Sequence, residues 1–276
     1  MRIDGKEIAD KIITNLKKRV GELEKKNITP SVAIIIAGND PASLAYIRLK
    51  EIKAKEIGIK PVIKRFPENI SQDSLLKAVQ QLNNDRNIHG IIVQQPLPSH
   101  IEASRVIQTI DPRKDVDGFL PNSDFEVPIS SAVLETLKNV YGKPDFDFWL
   151  KSQKIIIVGK GETGGKPTIN LLKKLEINFD VIDSKTEKPE DITKNADIII
   201  VAVGKPNIIT PEMIKKGVIL IGIGISRGSE GKLEGDYKEE KIKDIASFYT
   251  PTPGGIGPIN IAMLLKNVVT AAEKLT

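Results

Sequence analysis

At 276 residues, 40% hydrophobic and 28% charged, the chain has the balance of a soluble globular protein with room for two domains. It has no cysteine, which excludes disulfides, thiolate metal sites and a cysteine nucleophile, and its two histidines, His89 and His100, are too few for a multi-histidine centre, so no metal is expected. The formal charge of +5 suits an anionic ligand, but the basic residues stand beside acids on helix faces, as in Lys17 to Lys26, and 4% aromatic residues offer little for stacking on bases, so nucleic acid is not an expected partner.

The longest apolar runs, Ser31 to Ala37 and Val218 to Ile225, are far shorter than a membrane span, and Met1-Arg2-Ile3-Asp4-Gly5 opens no secretory signal. A cytoplasmic protein without membrane contact is expected. Asp4 can cap a helix whose apolar positions Ile8, Ile12, Leu16, Val20 and Leu23 recur at three- and four-residue spacing. Strand Val32 to Ala37, a helix to Ile57 stopped at Gly58, strand Pro61 to Phe66, a helix around Gln72 to Leu82 and strand Gly90 to Gln94 follow. Such alternation predicts a parallel sheet covered on both faces. The first helix after a strand carries Ser43, Tyr46 and Lys50 at three- and four-residue spacing, which lines up a hydroxyl, a ring and an amine. Gln94-Gln95-Pro96-Leu97-Pro98 and Lys114-Asp115-Val116-Asp117-Gly118 lie beyond strand ends, where open α/β sheets hold ligands.

Phe119 to Trp149 reads as a bridge with one helix, Ser130 to Tyr141, ended by Gly142. A second alternation then runs through Lys154 to Val158, a helix Gly164 to Leu175, Phe179 to Ile182, Asp197 to Val203 and Val218 to Gly222. The last helix, Pro258 to Lys274, is apolar enough to pack back on the first domain. The expected fold is α/β in two domains. The first comprises residues 1–140 with the C-terminal helix 258–276, and the second, residues 141–257, is a Rossmann-like dinucleotide-binding domain.

The Rossmann reading rests on Ile155-Ile156-Ile157-Val158 leading directly into Gly159-Lys160-Gly161-Glu162-Thr163-Gly164. This is G-x-G-x-x-G in strand-turn-helix context: Gly159 allows the tight turn, Gly161 the approach of pyrophosphate, and Gly164 the packing of helix on strand. Asp183 ends the next strand, 19 residues beyond Gly164, where an acid accepts from a ribose 2′-hydroxyl and favours NAD. Lys160, Ser184, Lys185 and Thr186 instead suit a 2′-phosphate, which an ionised Asp183 repels. Both cofactors stay open on these residues. Val203-Gly204-Lys205-Pro206 closes a third strand with a turn open enough to pass beneath a nucleoside.

The final signal is Thr250-Pro251-Thr252-Pro253-Gly254-Gly255-Ile256-Gly257-Pro258, stiff where proline sets φ and bare of side chains where backbone can approach a ligand. With Gly38-Asn39-Asp40-Pro41-Ala42-Ser43, Tyr46, Lys50, Val93-Gln94, Pro96-Leu97-Pro98 and Lys114 to Gly118, this loop makes the chain resemble the bifunctional methylenetetrahydrofolate dehydrogenase/methenyltetrahydrofolate cyclohydrolase family over nearly its whole length. The resemblance implies an N-terminal folate-binding domain, a folate site in the cleft between domains, a homodimer formed through the dinucleotide domains, and a formyl product that serves purine biosynthesis. It implies oxidation of 5,10-methylenetetrahydrofolate with NADP, then hydrolysis to 10-formyltetrahydrofolate. It also implies roles: Lys50 transfers the proton, Gln94 orients it, Tyr46 stacks on the folate rings and Asp117 accepts from the pterin. Ser43, Pro96, Leu97, Pro98, Gly254, Gly255, Gly257 and Pro258 would contact substrate. Cofactor contacts would come from Gly159, Lys160, Gly161, Thr163, Gly164, Gly165 and Pro167, from Asp183 to Thr186, from Val203, Gly204 and Pro206, and from Gly224 and Ile225.

The chain departs from the family pattern in several places. Gly159-Lys160-Gly161 stands for the usual Gly-Arg-Ser, so a lysine replaces the arginine grip on a 2′-phosphate. Asp183 replaces a usual histidine, Pro128-Ile129-Ser130-Ser131 the usual Pro-Cys-Thr-Pro, and Asn260 the common threonine. The alternatives that follow are an NAD-specific dehydrogenase or a member retaining only the cyclohydrolase step.

Overall fold

A computed structural model of the chain describes residues 1–228 and 231–275. Thr276, the last residue of the expected final helix, lies outside the described residues. In chain order the elements are α1 (Gly5–Glu24), β1 (Ser31–Ala37), α2 (Pro41–Glu56), β2 (Lys60–Phe66), α3 (Gln72–Asn84), β3 (Gly90–Val93), α4 (Ala103–Gln108), α5 (Pro128–Tyr141), α6 (Phe146–Ser152) and β4 (Ile155–Val158). There follow α7 (Gly165–Lys174), β5 (Phe179–Ile182), α8 (Pro189–Thr193), β6 (Ile198–Val201), β7 (Ile219–Gly222), β8 (Ile225–Arg227), β9 (Leu233–Gly235), α9 (Glu239–Ile242), β10 (Phe248–Tyr249) and α10 (Ile256–Leu275). Among the described residues no helix is long and apolar enough to cross a membrane.

These elements form two compact α/β units, Lys11–Pro128 with Ile261–Thr276, and Met1–Asp10 with Ile129–Asn260. The first is built on a parallel sheet of order β2-β1-β3. All seven residues of its central strand are buried, and each buried isoleucine there contributes roughly 1.5–3 kcal/mol. The C-terminal part of α10 belongs to this unit, as expected: Asn267 Nδ2 donates to the carbonyls of Val116 at 2.9 Å and Glu126 at 3.0 Å, and Arg19 pairs with Glu273 at 2.6 Å.

The second unit holds a parallel sheet of order β10-β7-β6-β4-β5. The short strands Ile155–Val158 and Ile198–Val201 are buried on both faces, so they are apolar without alternation. The division differs from the sequence-based one at 140/141 and 257/258: residues Met1–Asp10 and 129–140 join this unit, and the later break falls after Asn260. The N-terminus is drawn in by backbone pairing. Ile3 N donates to Tyr249 O at 2.8 Å, Tyr249 N to Met1 O at 3.0 Å and Gly5 N to Gly254 O at 3.0 Å.

The expected elements recur with small shifts. Asp4 caps α1, accepting from Lys6 N at 2.9 Å and Glu7 N at 3.1 Å. The final helix begins at Ile256 rather than Pro258, because a first-turn proline loses no intrahelical bond. The short helices α4, α6, α8 and α9 and the hairpin β8-β9 carry no periodicity long enough to announce them.

Candidate functional site

In the first unit the residues at the carboxyl edge of the sheet converge around Lys50. Asp40 caps α2 by accepting from Ser43 N at 2.7 Å, and Pro41 occupies its first turn. The buried stripe of α2 is Ser43, Ile47, Lys50 and Ala54. Tyr46 is therefore off the inward face that its spacing suggested, at 37% exposed, yet its ring centroid lies 5.1 Å from Lys50 Nζ. Lys50 Nζ donates to Gln94 Oε1 at 3.2 Å. Gln94 is fixed in turn: its backbone N–H donates to Ile35 O at 2.9 Å and its Nε2 to Gln95 O at 2.8 Å. Ser43 Oγ donates to the same carbonyl at 3.2 Å, and Pro96 to Pro98 continue this turn.

Burial pushes the Lys50 ammonium below the ordinary lysine range, and Asp117 pulls partly against it. Burial likewise pushes the Asp117 carboxyl up, opposed by the charge of Lys50. The rest of the Lys114 to Gly118 motif is scaffold. Lys114 Nζ caps the end of α3 by donating to the carbonyls of Leu82, Asn83 and Asp85 at 3.1, 2.8 and 2.7 Å. Asp115 accepts from Gly118 N at 3.1 Å and Leu120 N at 2.8 Å, which holds the turn that presents Asp117. The histidines are structural too: buried His89 accepts from Ser31 N at 3.1 Å, and His100 Nε2 lies 2.9 Å from Ile70 O.

The second unit presents mainly backbone. Gly159 has φ +93°, and a Cβ there would sit 2.8 Å from Ala202 O. The close helix-to-strand contact expected of Gly164 falls on Gly165, where a Cβ would lie 2.1 Å from Gly159 O; Gly164 precedes the helix as its cap and makes a looser 3.2 Å approach to Ile223. Gly161 has open surroundings, with only Ala202 O at 3.9 Å, so its missing side chain leaves room above the turn. Thr163 lies in this same turn, and Pro167 is buried in the first turn of α7.

At the end of β5, Lys160 Nζ pairs with Asp183 Oδ2 at 2.7 Å. Asp183 Oδ1 also accepts from Lys185 N at 2.9 Å, and Thr186 Oγ1 accepts from Asp183 N at 3.1 Å. Lys160 and the Lys185 amide hold the Asp183 carboxyl below its usual range, so it is ionised. Ser184 completes this turn. Beyond β6, Val203 leads into Gly204 (φ +70°) and Pro206, and beyond β7, Gly224 precedes the half-exposed Ile225.

The proline-glycine loop belongs to this unit. Gly254 takes φ +99°, and a Cβ on Gly255 would meet Pro251 O at 2.5 Å, so both glycines are sterically required. Gly257 and Pro258 sit in the first turn of α10 rather than in the loop, and a Cβ on Gly257 would meet open space. The sequence did not single out Asp236, a buried carboxylate behind the turns after β6 and β7. An acid between Gly235 and Tyr237 has no spacing that marks it.

Two family models cover the chain: the catalytic domain of tetrahydrofolate dehydrogenase/cyclohydrolase over residues 3–117 and its NAD(P)-binding domain over residues 133–276. The bifunctional protein FolD of Nautilia profundicola is 42% identical, over 98% of this chain and 96% of the relative. The bifunctional enzyme FolD of Campylobacter jejuni superposes with a TM-score of 0.94 at 36% identity, covering 99% of both chains. The FolD of Trypanosoma brucei, solved with NADP cofactor and inhibitor, gives 0.89 at 30% identity over 99% of this chain and 97% of that one. With this similarity running through both α/β units, the chain belongs to the tetrahydrofolate dehydrogenase/cyclohydrolase family.

Proposed function

We propose that the protein oxidises 5,10-methylenetetrahydrofolate to 5,10-methenyltetrahydrofolate with NADP and hydrolyses that product to 10-formyltetrahydrofolate. The observation that carries this reading is Lys50, an amine buried to 7% exposure and hydrogen-bonded to Gln94, with burial pushing its pKa below the ordinary lysine range, the direction that proton exchange by an amine requires. Family membership and the bifunctional relatives support it.

The second unit fits a dinucleotide. Gly159 and Gly165 leave room for backbone that a Cβ would fill, and the start of α7 supplies amides for phosphate. Bound there, the nicotinamide ring supplies a hydride acceptor. Oxidation breaks a C–H bond of the one-carbon bridge and leaves an amidinium cation shared by two nitrogens, which needs alignment more than acid or base. Tyr46 stacks on the folate rings and Asp117 accepts from the pterin N–H groups.

Hydrolysis needs proton movement. Water adds to the cation while neutral Lys50 takes the water's proton. The carbon–nitrogen bond to N5 then breaks, N5 gains a proton and the formyl group remains on N10. Overall one water is consumed and one proton released. Gln94 keeps the Lys50 amine aimed during both transfers. We further read the protein as a cytoplasmic homodimer joined through its dinucleotide domains and supplying formyl groups to purine biosynthesis, on the strength of the family alone.

A second cofactor reading, NAD, is favoured by one observation. Lys160 is already committed to the ionised Asp183 at 2.7 Å, and such a carboxylate accepts from a ribose 2′-hydroxyl but repels a 2′-phosphate. The test is reduced-cofactor formation from 5,10-methylenetetrahydrofolate with NADP and NAD in parallel, beside hydrolysis of added methenyltetrahydrofolate. Reduction and hydrolysis together are expected. Reduction of NAD alone makes Asp183 the ribose ligand, and hydrolysis without cofactor reduction removes the dehydrogenase half.

A further inference from the structure

Asp236 stands just after β9 with no exposed surface. Its Oδ1 accepts from Gly204 N at 2.7 Å and Lys205 N at 3.3 Å, in the turn after β6, while Oδ2 accepts from Gly224 N at 2.9 Å, in the turn after β7. Its own carbonyl accepts from Ile209 N at 3.1 Å, so the clamp is anchored to the segment leaving β6. Only a carboxylate can accept with both oxygens at once. Burial raises its pKa while these amides oppose the rise.

The surroundings are shaped to let the carboxylate in. A Cβ on Gly224 would lie 2.3 Å from Asp236 Oδ2 and 2.3 Å from Gly204 N. The flanking residues back the proline-glycine loop: a Cβ on Gly235 would meet Thr252 Oγ1 at 2.5 Å, and the Tyr237 hydroxyl donates to Thr250 O at 2.7 Å. Strand order supplies the functional sense. In the sequence β10-β7-β6-β4-β5, the phosphate turn follows β4 and the ribose position follows β5. A dinucleotide reaching from β5 across β4 then passes over the turns after β6 and β7, where its nicotinamide end must lie.

We propose that Asp236 is a positioning residue for hydride transfer, setting the backbone of Gly204 and Gly224 where the nicotinamide binds. The proposal rests on the dehydrogenase reading above and goes beyond it. Asp236→Asn keeps the volume but turns an amide NH2 toward one of the two turns. The experiment measures dehydrogenase kcat and KM for NADP and NAD, cyclohydrolase rate in the same preparation, dinucleotide affinity by calorimetry, and hydrogen exchange at Gly204, Lys205 and Gly224. Misplacement by an ångström or less makes the expected loss in dehydrogenase kcat/KM about tenfold to a hundredfold. Exchange at the three amides should quicken and cyclohydrolase stay within about twofold.

Gly224→Ala, which displaces the carboxylate without removing it, should give the same selective loss. Parallel loss of both activities in both variants overturns the proposal, because it makes Asp236 a general support. So does unchanged hydride transfer. If the unaltered protein reduces neither cofactor, the dehydrogenase reading fails first, and unchanged exchange and affinity in Asp236→Asn then overturn the positioning role separately.

Discussion

The two units solve different problems with different parts of the polypeptide. In the three-stranded unit the proposed site is made of side chains, Lys50, Gln94, Tyr46 and Asp117, with burial shifting the pKa of two of them. In the five-stranded unit it is made mainly of backbone bared by glycine, with Lys160 and Asp183 paired at its rim and the buried Asp236 behind its turns. Proton transfer needs a group whose pKa the protein can tune, and burial does that. Holding a long anionic cofactor needs close approach and amide donors, and missing side chains do that.

If this contrast is right, the units break in different ways. The largest effect should come from Lys50→Met, expected to lower the cyclohydrolase rate about 10²- to 10⁴-fold while hydride transfer persists. Steady-state assays of both steps on one preparation check it, and equal loss of both would erase the distinction. In the unmutated enzyme, hydrolysis should rise with pH through the lowered Lys50 pKa, since the neutral amine is the active form.

Gly165→Ala tests the backbone side. Its Cβ would meet Gly159 O at 2.1 Å, a main-chain atom that cannot step aside, so overpacking of about 1–3 kcal/mol is expected. Dinucleotide affinity measured by calorimetry should fall at least about tenfold by the same estimate. A variant that binds normally would show that the turn adapts.

Asp183→Asn should act more gently, because the pair with Lys160 lies at the surface, with the lysine largely in solvent, where an ion pair contributes little. The ratio of kcat/KM for NADP to that for NAD should rise several-fold as Lys160 is freed for a 2′-phosphate. A ratio that stays put would place the discrimination elsewhere.

The smallest effect concerns stability. Because the folded-state pKa of Lys50 lies below the unfolded value, the unfolded chain binds more protons between the two, and stability climbs as pH rises through that window. Lys50→Met should flatten that climb. Thermal unfolding across pH measures the slope, and an unchanged slope would assign the proton uptake to another group.

Much of this is legible in the sequence. The strand Ile155–Val158 running into Gly159 marks the proposed dinucleotide turn, because a buried parallel strand must be apolar throughout and the turn after it must be bare. Asp4 announces a helix start through local hydrogen bonds from amides two and three residues on, whereas Asp40, which caps α2 in the same way, stands in the sequence only as part of a motif. The close contact between helix and strand was misplaced by one residue, from Gly165 to Gly164, since G-x-G-x-x-G spacing does not reveal which glycine faces the backbone. The hairpin β8-β9 was missed because its residues are mostly exposed and too few to show a period.

The sequence by itself determined what depends on neighbours a few residues away: strands, helix caps, the glycine turn, and the succession of motifs that marks the family. Only the tertiary structure decided which charged groups lose water. Lys50 and Lys53 look alike along α2, yet Lys50 is buried against Gln94 whereas Lys53 pairs with Glu56 at the surface. Asp236 looks like any loop acid until two distant turns fold onto its oxygens. Desolvation depends on everything that surrounds a group, and most of what surrounds these groups comes from chain segments far away in sequence.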